Sequence, residues 1–192
     1  MPSNLWLKTY FKRNKMEKTQ IRRNMKLATR ALSTVECREQ SQSVVEQLLE
    51  IFDKRNAQVV ALFAPLPDEV QIGELCAKVG CRVVLPRVSG EDMEFYDYAN
   101  SSLEQGAFGI MEPQGTEACR ADEIDLMVVP GVAFTASGDR LGRGKGYYDK
   151  YLSREGFRAY CVGVCYAHQL LEVLPTELHD KRMDMVVCGK GV

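Results

Sequence analysis

Two apolar rhythms alternate along this chain. Ile21, Met25 and Ala28 recur at helical spacing and predict a helix over Glu17–Ala31. Ser33 with Glu36 three residues later is a capping box. It opens a second helix to about Phe52, with an apolar stripe of Cys37, Val44, Val45, Leu48, Leu49 and Phe52. The rhythm then changes. Residues 58–63 (QVVALF) form a short apolar run, the pattern of a strand covered on both faces. Similar runs predict strands over Arg82–Leu85, Met93–Tyr98, Asp125–Val129, Arg158–Tyr166 and Met185–Cys188. Helices are predicted over Val70–Gly80 and from Tyr147 to Glu155, and 103–115 reads as irregular.

Strands alternating with helices argue for an α/β fold with a largely parallel sheet. Ligands of such sheets gather beyond the carboxyl ends of the strands. The places to look are therefore the loops Pro65–Glu69 and Gly131–Gly146. The 192 residues suit a single domain, one able to bury roughly 70% of its unfolded surface. Hydrophobic residues at 45% and charged residues at 27% exclude a disordered or fibrous chain. No apolar run approaches the roughly 20 residues of a membrane span, so no membrane partner is expected.

Net charge is −1, which excludes a uniformly basic nucleic-acid binder, but the charge is unevenly placed. Residues 1–30 hold nine basic side chains against the single acid Glu17, and the remainder holds 16 basic and 25 acidic ones. A basic end on an acidic body suits contact with an anion, or is simply a solvated helix face. Residues 1–15 lack the features of a secretory signal. They are expected to form a flexible basic tail ahead of one domain over 16–192. The seven cysteines are odd in number, form no Cys-x-x-Cys pair and often fall in apolar runs, and the histidines are only two. No zinc-site spacing results, and buried reduced thiols in a cytoplasmic protein are the expectation.

The segment richest in chemistry is Arg140-Leu-Gly-Arg-Gly-Lys-Gly-Tyr-Tyr-Asp149. Glycines at 142, 144 and 146 let the backbone approach a ligand closely, and Arg140, Arg143 and Lys145 supply charge. A strand before it and a helix after it suit phosphate binding. It is not a P-loop, because Lys145 is followed by Gly146 rather than a hydroxyl residue, and Gly-x-Gly-x-Gly is not the dinucleotide fingerprint. The competing possibility is a mobile basic turn. Elsewhere, Lys18 and Arg22 are four apart and project from one helix face. Asp68 and Glu69 lie at the ligand edge and suit either an amino-pyrimidine-type donor edge or a helix N-terminus. His168 and His179 have no partner spacing. Asp180 and Asp184, four apart, could hold a metal.

Three blocks, Lys18-x3-Arg22, Leu66-Pro-Asp-Glu69-Val70 and Pro130-Gly-Val-Ala-Phe134 running on to Arg140–Asp149, resemble the 5-formyltetrahydrofolate cyclo-ligase family over about residues 17–187. Minor matches are Leu85-Pro-Arg87, Gly109-Ile-Met-Glu-Pro113 and Pro175…His179-Asp180…Asp184. The resemblance implies a three-layer α/β/α domain and a ligase that uses MgATP to convert 5-formyltetrahydrofolate into 5,10-methenyltetrahydrofolate. It implies that Lys18, Arg22, Arg140, Leu141, Gly142, Arg143, Gly144, Lys145, Gly146, Tyr147 and Tyr148 bind ATP, with Arg143 and Lys145 catalytic. Asp149 and Asp184 would bind Mg²⁺. Ala64, Glu69, Phe108 and Tyr148 would bind the folate, with Ala64 standing where the family can carry a larger apolar residue. Monomeric, cytoplasmic enzymes with small-molecule partners and no nucleic acid are the expectation.

Three other classes compete. A phosphosugar sensor would not need Lys18, Glu69 and Asp149 together. An RNA-associated protein would rely on the basic end, where Trp6, Tyr10 and Phe11 are the interleaved aromatics. A nicotinamide-linked oxidoreductase is disfavoured, since Arg158–Val162 stands where the ribose-binding acid would end a strand.

Overall fold

A computed structural model describes residues 4–106, 109–177 and 180–190, with side chains from Glu17 onward. Helix α1 (Asn4–Ala31) starts at Asn4 rather than Glu17. Helix α2 (Thr34–Arg55) opens on the expected capping box. Ser33 Oγ accepts from the Glu36 N–H, and the Glu36 carboxylate accepts from the Ser33 N–H.

Six strands form the main sheet: β1 (Val59–Ala61), β2 (Arg82–Ser89), β3 (Asp92–Asp97), β6 (Leu126–Pro130), β9 (Tyr160–Cys165) and β11 (Met185–Cys188). Their spatial order is β11-β9-β6-β1-β2-β3. All neighbours are parallel except β3, which returns antiparallel along β2. The apolar runs are explained by two cores. Val128 and Leu126 of β6 face one, with Val44, Leu48 and Phe52 of α2, while Met127 and Val129 face the other. That second core is closed by Phe134, Met183 and the Tyr151 and Leu152 side chains of the short helix α4 (Tyr147–Leu152). No helix among the described residues is long and apolar enough to cross a membrane.

Three expectations change. The helix over Val70–Gly80 shrinks to one turn, α3 (Leu75–Lys78). Val70 and Ile72 are buried, and the Gln71 N–H is spent on Ser41 Oγ, so the backbone there is not free to coil. Strand β2 runs on to Ser89 instead of ending at Leu85, because pairing with β1 ends at Val84 and Pro86 faces Phe95 of β3 alone. The irregular segment contains a hairpin, β4 (Leu103–Gln105) with β5 (Met111–Pro113).

Candidate active site

The chain runs from β1 to β2 on one side, whereas β6 lies on the other side of β1 and leads outward to β9. The carboxyl ends of β1 and β6 therefore diverge into a crevice, the place where this sheet type binds ligands. A cavity of about 350 Å³ opens there. Phe63, Ala64, Leu66 and Glu69 line it from the β1 side, and Pro130, Arg140, Arg143, Lys145, Tyr148 and Asp149 from the β6 side.

The long connection after β6 is stiffened. Strands β7 (Ala133–Thr135) and β8 (Arg140–Leu141) form a hairpin, with β10 (Leu170–Leu171) alongside β7. This hairpin presents Arg140 to the cavity. Its side chain is nearly buried and donates to the Pro130 carbonyl at 3.1 Å and to Asp149 Oδ1 at 2.8 Å. Leu141 packs inward beside Ile21 and Met25 of α1, so its side chain is structural and only its backbone is left for a ligand. Beyond it, Gly144 and Gly146 hold φ of 99° and 75°, which a side chain would resist. Arg22 donates from Nε to the Gly142 carbonyl at 2.8 Å and ties α1 to the loop. Helix α4 is only six residues long, so cationic side chains supply most of the positive charge here.

Arg143 is the centre of the site. Its Nε donates to Glu69 Oε1 at 2.9 Å, and its Nη2 to Asp68 Oδ1 at 2.6 Å. Burial works against the guanidinium charge, but Asp68 and Glu69 outweigh it and raise the pKa. The acidic corner is itself pinned. Glu69 Oε2 accepts the Leu66 N–H, Gln71 Nε2 donates to the carbonyls of Leu66 and Glu69, and the Tyr166 hydroxyl donates to the Glu69 carbonyl at 2.8 Å. Tyr166 was invisible as a site support in the sequence, because it acts on a backbone atom 97 residues away, and Gln71, although a near neighbour, carries no motif that marks it. A second cleft of about 150 Å³ lies beyond, with Arg22, Lys26, Asp68, Arg143 and Gln169 in its wall. Arg143 thus lines both spaces.

The remaining expected residues divide. Tyr147 and Tyr148 line the cavity with Gly142, Gly144 and Gly146. Burial, then Glu69, pushes the half-buried Tyr148 hydroxyl well above its ordinary pKa, so it stays protonated. Lys145 is exposed at the cavity and makes no ion pair among the described residues. Lys18 turns to the C-terminal segment, 2.9 Å from Asp180 and 3.3 Å from Glu177. Asp184 is not in the cavity wall: its carboxylate accepts the Cys161 N–H at 2.7 Å, near the amino end of β9. Asp180 instead shares a small cavity with Arg140, the partner of Asp149. Phe108 and His179 lie outside the described residues. The thiols belong to the cores: burial pushes Cys119 up to about 11 and Cys161 to about 12.

A largely parallel sheet with a crevice at its switch point, walled by cations on one side and apolar side chains on the other, defines an α/β protein with a ligand site at its strand ends. The family model described as the 5-formyltetrahydrofolate cyclo-ligase family matches residues 14–189. The chain belongs to that family. It is 30% identical to the 5-formyltetrahydrofolate cyclo-ligase of Saccharomyces cerevisiae, over 89% of this chain and 94% of the relative. The solved 5,10-methenyltetrahydrofolate synthetase of Aquifex aeolicus superposes with a TM-score of 0.80 at 36% identity, covering 89% of each chain. That of Mycoplasma pneumoniae gives 0.72 at 26% identity, over 88% of this chain and 97% of the other.

Proposed function

We propose that this chain converts 5-formyltetrahydrofolate and ATP into 5,10-methenyltetrahydrofolate, ADP and phosphate. The observation that carries the mechanism is Arg143, which stands between a largely apolar cavity and a cationic cleft. Folate would occupy the apolar part of the first, and the triphosphate would reach from the second across Arg143 to the glycine loop in the wall of the first. The formyl oxygen attacks the γ-phosphorus, the bond to the ADP oxygen breaks, and ADP leaves. N10 then attacks the activated formyl carbon. The carbon–oxygen bond breaks, phosphate departs with the electron pair, and N10 loses its proton. The substrate supplies the nucleophile, so the chain's task is positioning and charge neutralisation.

Arg143 and Lys145 would stabilise the charge moving onto the formyl oxygen. Arg22 and the backbone of 140–148 would hold the phosphates. Lys18, one helical turn from Arg22, would join them by exchanging its carboxylate partners for phosphate. Ala64, Glu69 and Tyr148 would receive the folate, with Phe108 a further contact carried over from the family resemblance. Asp149 suits Mg²⁺, since that ion is held by one or two carboxylates plus substrate phosphates, and Oδ2 of Asp149 has no hydrogen bond among the described residues. When bound, the ion would neutralise phosphate charge. We assign the working unit to residues 16–192, acting as a monomer without nucleic acid. We place it in the cytoplasm, where cysteines packed like Cys119, Cys161 and Cys165 stay reduced. Mixing the protein with 5-formyltetrahydrofolate and MgATP should raise the near-ultraviolet absorbance of the methenyl product. Omitting ATP or Mg²⁺ should abolish the rise, and no rise with all components present would overturn the assignment.

A further inference from the structure

Glu112 on β5 is the most buried carboxylate among the described residues, at 3% exposure, and it lines the main cavity. The protein gives it little in return. Its Oε1 receives the Val88 N–H at 3.5 Å, the outer limit of a hydrogen bond. Oε2 has no hydrogen-bond partner, and the side chain makes no ion pair, among the described residues. Any side chain at Gly106 would collide with this carboxylate, so the glycine leaves room for it. Around it the cavity wall is apolar: Pro86, Val88, Met93 and Ile110. A carboxylate in such surroundings is costly unless strong donors meet it. Glu69 is different, because both of its oxygens are already engaged.

We propose that Glu112 is a specificity-determining residue that accepts the adjacent 2-amino and N3–H donors of the substrate's pterin ring. The pterin is flat, which suits the apolar slot, and those two donors match one carboxylate in bidentate fashion. Glu69, beside Arg143, meets the same ring at its reacting end. The inference rests on the cyclo-ligase assignment and deepens it.

The test compares the wild-type chain with E112Q on 5-formyltetrahydrofolate and on its analogue with the 2-amino group replaced by methyl. The substitution keeps the side-chain size but leaves one acceptor oxygen instead of two. The KM for 5-formyltetrahydrofolate should rise roughly 10- to 100-fold, the size expected for lost hydrogen bonds to a charged group, with the KM for ATP unchanged. The wild-type chain should favour the amino substrate by a similar factor, and E112Q should lose that preference. A KM within twofold of wild type, or an undiminished preference in E112Q, overturns the proposal. If E112Q does not fold, the wild-type comparison decides alone, and equal use of the two substrates overturns it. Failure of the wild-type chain to turn over 5-formyltetrahydrofolate overturns the underlying assignment and this inference with it.

Discussion

Replacing Arg143 with alanine separates chemistry from folding at this site. The guanidinium is 41% exposed, and its partner Asp68 is 32% exposed, so this ion pair contributes at most about 1 kcal/mol to stability. Glu69 is more buried and loses one partner, but it keeps the Leu66 N–H. The melting temperature should therefore fall by only about 2–4 °C. The effect on turnover is expected to be far larger. An arginine acting on a transferring phosphoryl group is worth roughly 10³–10⁵ in kcat. With Lys145 still present, the lower end applies, about 10³, or about 4 kcal/mol of barrier. Methenyl absorbance at saturating ATP and folate gives kcat, and a thermal melt gives stability. Arg143→Lys should recover part of the loss, because the charge returns without the planar fork. A kcat for Arg143→Ala within tenfold of wild type would refute the placement of Arg143 between the two spaces as the basis of catalysis. A loss matched by a melting-temperature drop beyond about 10 °C, more than twice the expected shift, would mean that Arg143 acts by holding the fold.

Other expectations follow from the same geometry. Gly163 on β9 faces Phe134, whose ring edge an added Cβ would strike; Gly163→Ala should cost about 1–3 kcal/mol, read as a melting-temperature loss of several degrees. Thr29 Oγ1 lies 2.9 Å from both the Met25 carbonyl and His168 Nε2, and the buried His168 Nδ1 has no hydrogen-bond partner among the described residues. Burial lowers the His168 pKa below its ordinary value, so the unfolded chain binds that proton more readily. The associated stability is full above about pH 6.5 and declines as pH falls below it. Thermal melts from about pH 7 to about pH 5.5, spanning the ordinary histidine range, should show this slope, and His168→Gln should flatten it; an unchanged slope in the variant would count against the assignment. A version of the chain beginning at Met16 should retain cyclo-ligase turnover, measured by the same absorbance assay, since the family match begins at residue 14.

Much of the fold was legible from local pattern. The runs at 58–63 and 125–129 became central strands because a parallel strand covered on both faces must be apolar at successive positions. The capping box at Ser33 is a contact within one turn and depends on nothing distant. The segment over 70–80 misled because its apolar residues mimic a helix face, whereas Val70 and Ile72 fill the core from an irregular stretch tied to α2 by the Gln71 N–H on Ser41. The hairpin over 103–113 was missed for the opposite reason: its strands are three residues each, too short for a periodic signal.

The chemistry divides in the same way. Glycines at 142, 144 and 146, with Arg143 and Lys145 between them and Arg140 just before, marked a candidate anion loop, because charge and backbone freedom are properties of the segment itself. The spacing of Asp180 and Asp184 could not tell what either carboxylate meets; the register of β11 on β9 sends Asp184 to the strand's amino end, onto the Cys161 N–H. Nor could spacing bring Arg143 onto Asp68 and Glu69, 75 and 74 residues away. That meeting depends on β6 lying beside β1 instead of beyond β2. Sequence alone determined which residues want burial and which segments carry charge, since those preferences are set by each side chain and its near neighbours. The tertiary structure decided which charges face one another, since strand order is settled by packing the whole sheet.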